Sequence, residues 1–207
     1  MEVSRADAWA ADRELAARIC AGDEAAFAQL IDALHRPLAR VAEAYVGRVA
    51  AAEDVVQETW AAVVDHLPSF EARSALRTWI TRILINQAKT RRERDKRFVP
   101  IDEGADECPE TRFSSRGFFT GTPAYAAGPE SALLCKEASG WLVAALDALP
   151  EVQRAVVTLR DVEEWSSEEV CNALGVSESN QRVLLHRGRQ RLRAALEERV
   201  RGKGAGR

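Results

Sequence analysis

An all-α fold, with two small helical domains joined by a long linker, follows from three features of the sequence. Alanine, leucine, arginine and glutamate dominate, a balance that favours helices. Apolar residues recur every three or four positions through both halves, the period of a helix with one buried face. Between the halves, Pro100, Gly104, Pro109, Gly117, Gly121, Pro123 and Gly128 break any such pattern. That stretch, at about 30 residues, is longer than a usual intradomain loop, so the chain divides into a domain over 1–98, a linker over 99–130 and a domain over 131–207. With 46% hydrophobic and 29% charged residues, the chain can bury cores and is not disordered throughout.

In the first domain a helix is expected from Trp9 to about Ala21, with Leu15 and Ile19 spaced four apart. Gly22 breaks it and Asp23 suits the N-cap of the next, which carries Phe27, Leu30, Ile31 and Leu34 on one face. Pro37 either kinks this segment or begins a second one, and the pattern resumes through Leu38, Val41 and Tyr45 to Gly47. A third helix spans about Ala51 to His66, burying Val56, Trp60, Val63 and Leu67, with Asp54, Gln57, Glu58, Ala61 and Asp65 opposite. Pro68 and Ser69 mark a loop over Leu67–Ser74, and a long helix from about Ala75 to Arg97 buries Leu76, Ile80, Ile83 and Leu84.

The second domain opens with a helix over Leu133–Leu149 that turns Trp141, Leu142, Ala145 and Leu149 inward. Pro150 suits the first turn of the next helix, which carries Val152, Val156, Val157 and Leu159. Ser167 is expected to cap a short helix whose first turn holds Glu168 and Glu169, where the helix dipole favours acids. Gly175 supplies a left-handed exit, and Ser177 caps a final helix from about Glu178 to Arg199. Short helix, glycine turn, cap and basic helix is the outline of a helix-turn-helix.

The net charge of −3 hides a strong segregation. Arg77, Arg82, Lys89, Arg91, Arg92, Arg94, Lys96 and Arg97 form one basic block, and Arg182, Arg187, Arg189, Arg191 and Arg193 a second. An acidic run with Asp102, Glu103, Asp106, Glu107 and Glu110 lies between them. Taken alone, each block reads as a solvated helix face; together they suggest two anion-binding surfaces. Cys20, Cys108, Cys135 and Cys171 are widely spaced without a C-x-x-C pair, so no metal site is expected. No apolar run approaches the roughly 20 residues that span a bilayer, and no secretory segment opens the chain. A cytoplasmic, reduced protein without membrane insertion is the expectation. Phosphate-loop, nucleophile-elbow and zinc-protease motifs are absent, and His35, His66 and His186 stand outside any catalytic constellation. Neither a catalytic residue nor a cofactor is expected.

The most specific feature is a pair of extended motifs. Ala52-Glu-Asp-Val-Val-Gln-Glu-Thr-Trp60, Leu67-Pro-Ser-Phe70 and Ser74-Ala-Leu-Arg-Thr-Trp-Ile80 resemble region two of extracytoplasmic-function (ECF) sigma factors of the sigma-70 family. Leu149-Pro-Glu-Val-Gln-Arg154, Glu168-Glu-Val-Cys-Asn-Ala-Leu-Gly-Val-Ser177 and Leu185-His-Arg-Gly-Arg189 resemble their region four. Together the matches cover most of residues 10–98 and 131–199, in the family's order.

The resemblance implies a subunit that brings core RNA polymerase to promoter DNA, with no chemistry of its own. Polymerase docking would fall to Asp54, Gln57, Glu58 and Asp65. The −10 element, melted to a single strand, would be held by Phe70, Glu71, Arg73, Ser74, Arg77, Thr78, Trp79, Arg82, Asn86 and Lys89. These supply a stacking wall, polar groups for a flipped base and cations for phosphates. Phe70 and Trp79 suit core packing as well as stacking. The −35 element would be read by Ser179, Asn180, Arg182 and Val183 at base edges, with His186, Arg187 and Arg189 on the backbone. An anti-sigma factor is a further expected partner.

Three positions depart from the commoner family pattern. Gln181 stands where a small apolar residue is frequent, and Leu184 where a basic or polar one is. Leu184 either faces the groove, within reach of a thymine methyl, or turns inward. Gly188 replaces a frequent alanine at a cost of up to about 1 kcal/mol in helix propensity. In the linker, Phe113, Phe118, Phe119 and Tyr125 either pack on a domain or partner or belong to a plain spacer. The rival reading, a stand-alone helix-turn-helix regulator, accounts for the second half but leaves Asp54, Gln57 and Glu58 without a task.

Overall fold

A computed structural model of the chain describes residues 5–96 and 140–204, which form helices, turns and loops with no strand among them. The linker expected over 99–130, with its aromatic residues and Cys108, lies outside the described residues, as do Cys135 and the start of the helix expected from Leu133. The helices are α1 (Arg5–Cys20), α2 (Glu24–Val46), α3 (Val49–His66) and α4 (Leu76–Lys96), with a 3-10 turn at Leu67–Ser69. After the gap come α5 (140–147), α6 (Glu151–Val157), a π turn (Thr158–Val162), α7 (Ser167–Leu174) and α8 (Glu178–Gly204).

Local chemistry explains most boundaries. Asp23 Oδ1 accepts the Ala26 amide at 2.9 Å, capping α2, while its other oxygen holds Arg18 at 2.7 Å. Gly47, in the left-handed region at φ 69, ends α2 with its amide on the Glu43 carbonyl. Pro37 neither breaks α2 nor starts a new helix. Leu38, Val41, Ala42 and Tyr45 beyond it are all buried, and their packing holds the second part of the helix in line. The cap of α7 is Ser166, not Ser167. Ser166 accepts the Glu169 amide while Glu169 reaches back to the Ser166 amide, a reciprocal capping box. The N-terminus of α4 is capped from far away, with Asp12 Oδ2 of α1 accepting the Leu76 amide at 2.7 Å.

The halves do not stand apart. Leu30, Leu38 and Val41 of α2, Val55, Trp60 and Val63 of α3, and Leu76, Ile80 and Leu84 of α4 form one core. Val156 and Leu159 from the α6 segment, Trp165, and Val170 and Leu174 of α7 belong to the same core. Helix α6 packs on α2, and α7 on α4. A smaller cluster of Ala145, Leu149, Val157 and Leu192 joins α5, α6 and α8. Leu142, expected inward, is exposed, and the apolar contacts of this segment with α6 and α8 run through Ala145, Leu146 and Leu149. The departure at Gly188 has a steric basis: a Cβ there would lie 2.7 Å from Val157 Cγ2, so only glycine allows α8 this close to α6.

Candidate polymerase and nucleic-acid interfaces

Helix α3 buries Val55, Val56, Thr59, Trp60 and Val63, which leaves its other side to solvent. Asp54, Gln57, Glu58 and Asp65 are all exposed on that side, as are Ala61 and Val64. Val64, an exposed apolar side chain beside Asp65, escapes a reading that looks only for charge. Two groups from α4 fix this face. Arg91 lies 3.3 Å from Asp54 and 3.5 Å from Glu58. Gln87 donates to the Glu58 carbonyl at 3.2 Å and accepts from the Thr59 hydroxyl at 2.5 Å. A shallow groove of about 220 Å³, lined by Glu58, Asn86, Gln87, Thr90, Arg91 and Arg94, joins the acidic side of α3 to the polar side of α4.

Along α4, Arg82, Asn86 and Lys89 are exposed together on one face. Upstream, Glu71 and Arg73 are exposed and paired with each other at 2.5 Å, and Ser74 is half-buried. Between Glu71 and Arg73, buried Ala72 sits at φ 51, a left-handed conformation that costs a non-glycine residue energy and sharply bends the loop. Phe70 and Trp79 pack on the core and on each other, ring centroids 5.4 Å apart and tilted by 54°. Thr78 departs from expectation. It is 2% exposed, its hydroxyl has no hydrogen-bond partner, and it cannot touch a strand from where it lies. Arg77 is already engaged, its guanidinium 2.6 Å from Glu169 and 4.9 Å from the centre of the Trp165 ring.

Helix α8 presents Ser179, Asn180, Arg182, Val183, His186 and Arg187 on one exposed side. Val183, 47% exposed, is the apolar member. Behind them Gln181 is 1% exposed and accepts the Ser167 hydroxyl at 3.1 Å, locking α8 to α7. Leu184 turns inward and packs on the core, which settles its direction. The Asn180 amide donates to Ser177 Oγ at 3.3 Å, the expected cap. Arg189 is held by two hydrogen bonds to Asp161 of the π turn, at 2.9 and 2.5 Å.

Family models match the chain twice, as sigma-70 region 2 over residues 30–98 and as sigma-70 region 4 over residues 139–192. A Haemophilus influenzae protein named "Probable RNA polymerase sigma factor" is 30% identical, over 77% of this chain and 84% of its own length. The Bacillus subtilis ECF RNA polymerase sigma factor SigW is 26% identical, over 86% of this chain and 92% of the relative. The chain belongs to the sigma-70 family. It is a sigma factor of the ECF group, a protein that directs RNA polymerase to promoters. Sigma factors are not enzymes. The solved structure of CnrH in complex with the cytosolic domain of CnrY is 25% identical with a TM-score of 0.59, over 91% of this chain and 98% of that one. The sigma factor RpoE of Bartonella quintana, solved with the anti-sigma factor NepR, shares the fold at a TM-score of 0.59 and 21% identity, over 83% of this chain and 96% of that one.

Two titratable groups of the sigma factor that are shifted from their ordinary values, Glu169 and Tyr45, lie where its two halves meet. Burial pushes the Glu169 carboxyl up, but hydrogen bonds from Ser166 and Arg77 outweigh it and hold the group below the usual glutamate range. The Tyr45 hydroxyl is pushed well above its ordinary value, first by burial and then by the nearby Glu151 charge. Arg189 is pushed up by its hydrogen bonds with Asp161, against the opposing effect of burial. Among the described residues, no helix is long and apolar enough to cross a membrane.

Proposed function

We propose that this sigma factor divides its work among three helical faces. The exposed side of α3, with Asp54, Gln57, Glu58 and Asp65, docks on a basic element of core RNA polymerase, and Val64 adds an apolar contact. The loop before α4 and the exposed side of α4, with Glu71, Arg73, Arg77, Arg82, Asn86 and Lys89, hold the melted −10 strand. The exposed side of α8, from Ser179 to Arg187, enters the major groove of the −35 element. Residues 1–98 and 131–207 act as the two functional domains, with 99–130 as the connection.

The observation that carries this reading is geometric. Polar stripes on α3, α4 and α8 are left to solvent by helices whose opposite sides are packed, so each can meet a partner without unfolding its domain. Asn180 and Arg182 have the donors and acceptors that pair with adenine and guanine edges, and Val183 can meet a thymine methyl. The chain supplies no bond-making chemistry and works in the cytoplasm, where the polymerase is. Two similar structures are complexes, of CnrH with the cytosolic domain of CnrY and of a sigma factor with an anti-sigma factor, which supports an anti-sigma protein as a further partner here.

The test is transcription in vitro with purified core polymerase, on a template taken from upstream of this protein's own gene. A defined start site that needs the protein, and that weakens on charge reversal at Asp54 and Glu58, is the expected result. Unchanged polymerase affinity in that variant would remove the α3 assignment.

A further inference from the structure

Two adjacent serines at the start of α7 do different work. Ser166 caps the helix, accepting the Glu169 amide while Glu169 returns to the Ser166 amide. Ser167 takes no part in that box. Its hydroxyl crosses instead to α8, where Gln181 Oε1 accepts it at 3.1 Å. Inward side chains of the same two helices include Val170, Ala173 and Leu174 of α7, all buried, and Leu184 and Leu185 of α8.

In such a setting a glutamine costs stability. Gln181 is 1% exposed, and its amide nitrogen is buried with no hydrogen-bond partner among the described residues. A leucine or methionine would fill a similar volume without burying an unmatched amide, so packing alone favours an apolar residue. What the glutamine adds is direction. Apolar contact is non-directional, whereas a hydrogen bond weakens steeply as its geometry departs from linear. The Ser167–Gln181 bond therefore fixes the rotation of α8 against α7.

Position makes that rotation matter. Gln181 lies at the end of the first turn of α8, between Asn180 and Arg182. These two leave the helix axis about 100° to either side of it, and Ser179 and Val183 about 200° away, on the side opposite α7. All four are exposed. Turning α8 by about 20° would carry a side-chain tip about 6 Å from the axis through about 2 Å, enough to break a bidentate pair with a base edge. A second anchor lies about 11 Å farther along the helix. There Gly188 closes on Val157 of α6, and Arg189 holds Asp161 by two hydrogen bonds. Two anchors define the seat of the helix, and Gln181 is the one flanked by candidate base-reading residues.

Resting on the reading of α8 as the −35 helix, we propose that Gln181, through Ser167, is a positioning residue that determines promoter specificity. It touches no base. It sets the angle at which Asn180, Arg182 and Val183 meet the groove, and the fold gives up stability at this position for discrimination between promoters.

The test uses holoenzyme assembled with the full chain, on promoter duplexes from upstream of this protein's own gene with each −35 base pair changed in turn. Wild-type holoenzyme should prefer the parent duplex to the changed ones. Gln181→Leu and Ser167→Ala should each lower that preference at least about threefold. The S167A/Q181L chain should lose no more, because both changes act through one bond. Binding to unrelated duplex should stay within about twofold of wild type, since the phosphate contacts are kept. In denaturant unfolding Gln181→Leu should be at least as stable as wild type, and Ser167→Thr, which keeps the hydroxyl, should keep the preference. A folded Gln181→Leu or Ser167→Ala chain that discriminates as well as wild type overturns the proposal. So does a loss of preference in Gln181→Leu that comes with a matching loss of stability, the mark of a merely structural role. Where Gln181→Leu does not fold, the contrast between Ser167→Ala and Ser167→Thr decides. A wild-type holoenzyme indifferent to every −35 change overturns the reading of α8 itself, and the proposal with it.

Discussion

Helices α4 and α8 are both long and basic, yet the fold treats them differently. Helix α4 is gripped by α2, α3 and α7, and much of its polar chemistry is used inside the protein. Gln87 ties it to α3, Arg91 holds the acidic stripe, and Arg77 and Arg92 bind carboxylates of the second half. Helix α8 rests on α6 and α7 along one side and leaves Ser179, Asn180, Arg182, Val183 and Arg187 exposed on the other, with Arg182 paired to Glu178 one turn away on the same helix. A rigid helix with one clean face suits duplex DNA, whose groove is already formed. A helix whose cations can exchange partners suits a strand that appears only after melting.

Substitutions can break or sharpen that contrast. The largest effect should come from the stripe that α4 supports: D54K/E58K should weaken core polymerase binding at least about tenfold, or roughly 1.4 kcal/mol, in a direct affinity measurement. On α8, Arg182→Ala should cost about 1–3 kcal/mol for the cognate −35 duplex and relax its sequence preference. Lys89→Ala on α4 should instead weaken holoenzyme binding evenly across sequences and flatten its salt dependence by about one phosphate contact.

Smaller effects test the packing. Gly188→Ala should destabilise the second half by about 1–2 kcal/mol in denaturant unfolding, despite the better helix propensity of alanine. Adding Val157→Ala should recover part of the loss by clearing the methyl that the new Cβ meets. Asp12→Ala should cost about 1 kcal/mol by uncapping α4.

The smallest effect is with pH. Glu169 is held below the ordinary glutamate range, so it adds stability above that range and loses the addition as pH falls through its own lower value. The contact between the halves should therefore weaken on acidification below the ordinary glutamate range. An Arg77→Ala chain, lacking one of the hydrogen bonds that lower Glu169, should show less of this dependence when small-angle scattering follows both chains through a pH titration.

Periodicity, caps and breakers made the helices legible in order. Asp23, Gly47, Gly175 and Ser177 act where their chemistry says they should, because a cap or a left-handed turn depends on neighbours in sequence. The exposed residues of α3 and most of those on α4 and α8 were also legible, since a helix with one apolar side must show the other. Thr78 was not, because a residue near a helix start faces whatever packs there; for Phe70 and Trp79 the sequence left core and surface both open, and the fold packs them on the core. Ser166 displaced Ser167 as the cap by a single position, a difference that the two adjacent serines conceal.

By itself, then, the sequence determined the helical elements, their polar faces and the family, all of which rest on local spacing and contiguous motifs. The tertiary structure decided which of those faces are free. It supplied the distant cap from Asp12 to Leu76, the requirement for glycine at 188, and the closure of the second half over α4. Each of these depends on contacts between residues far apart in the chain, and helical periodicity shows which residues face inward but not which helix they meet.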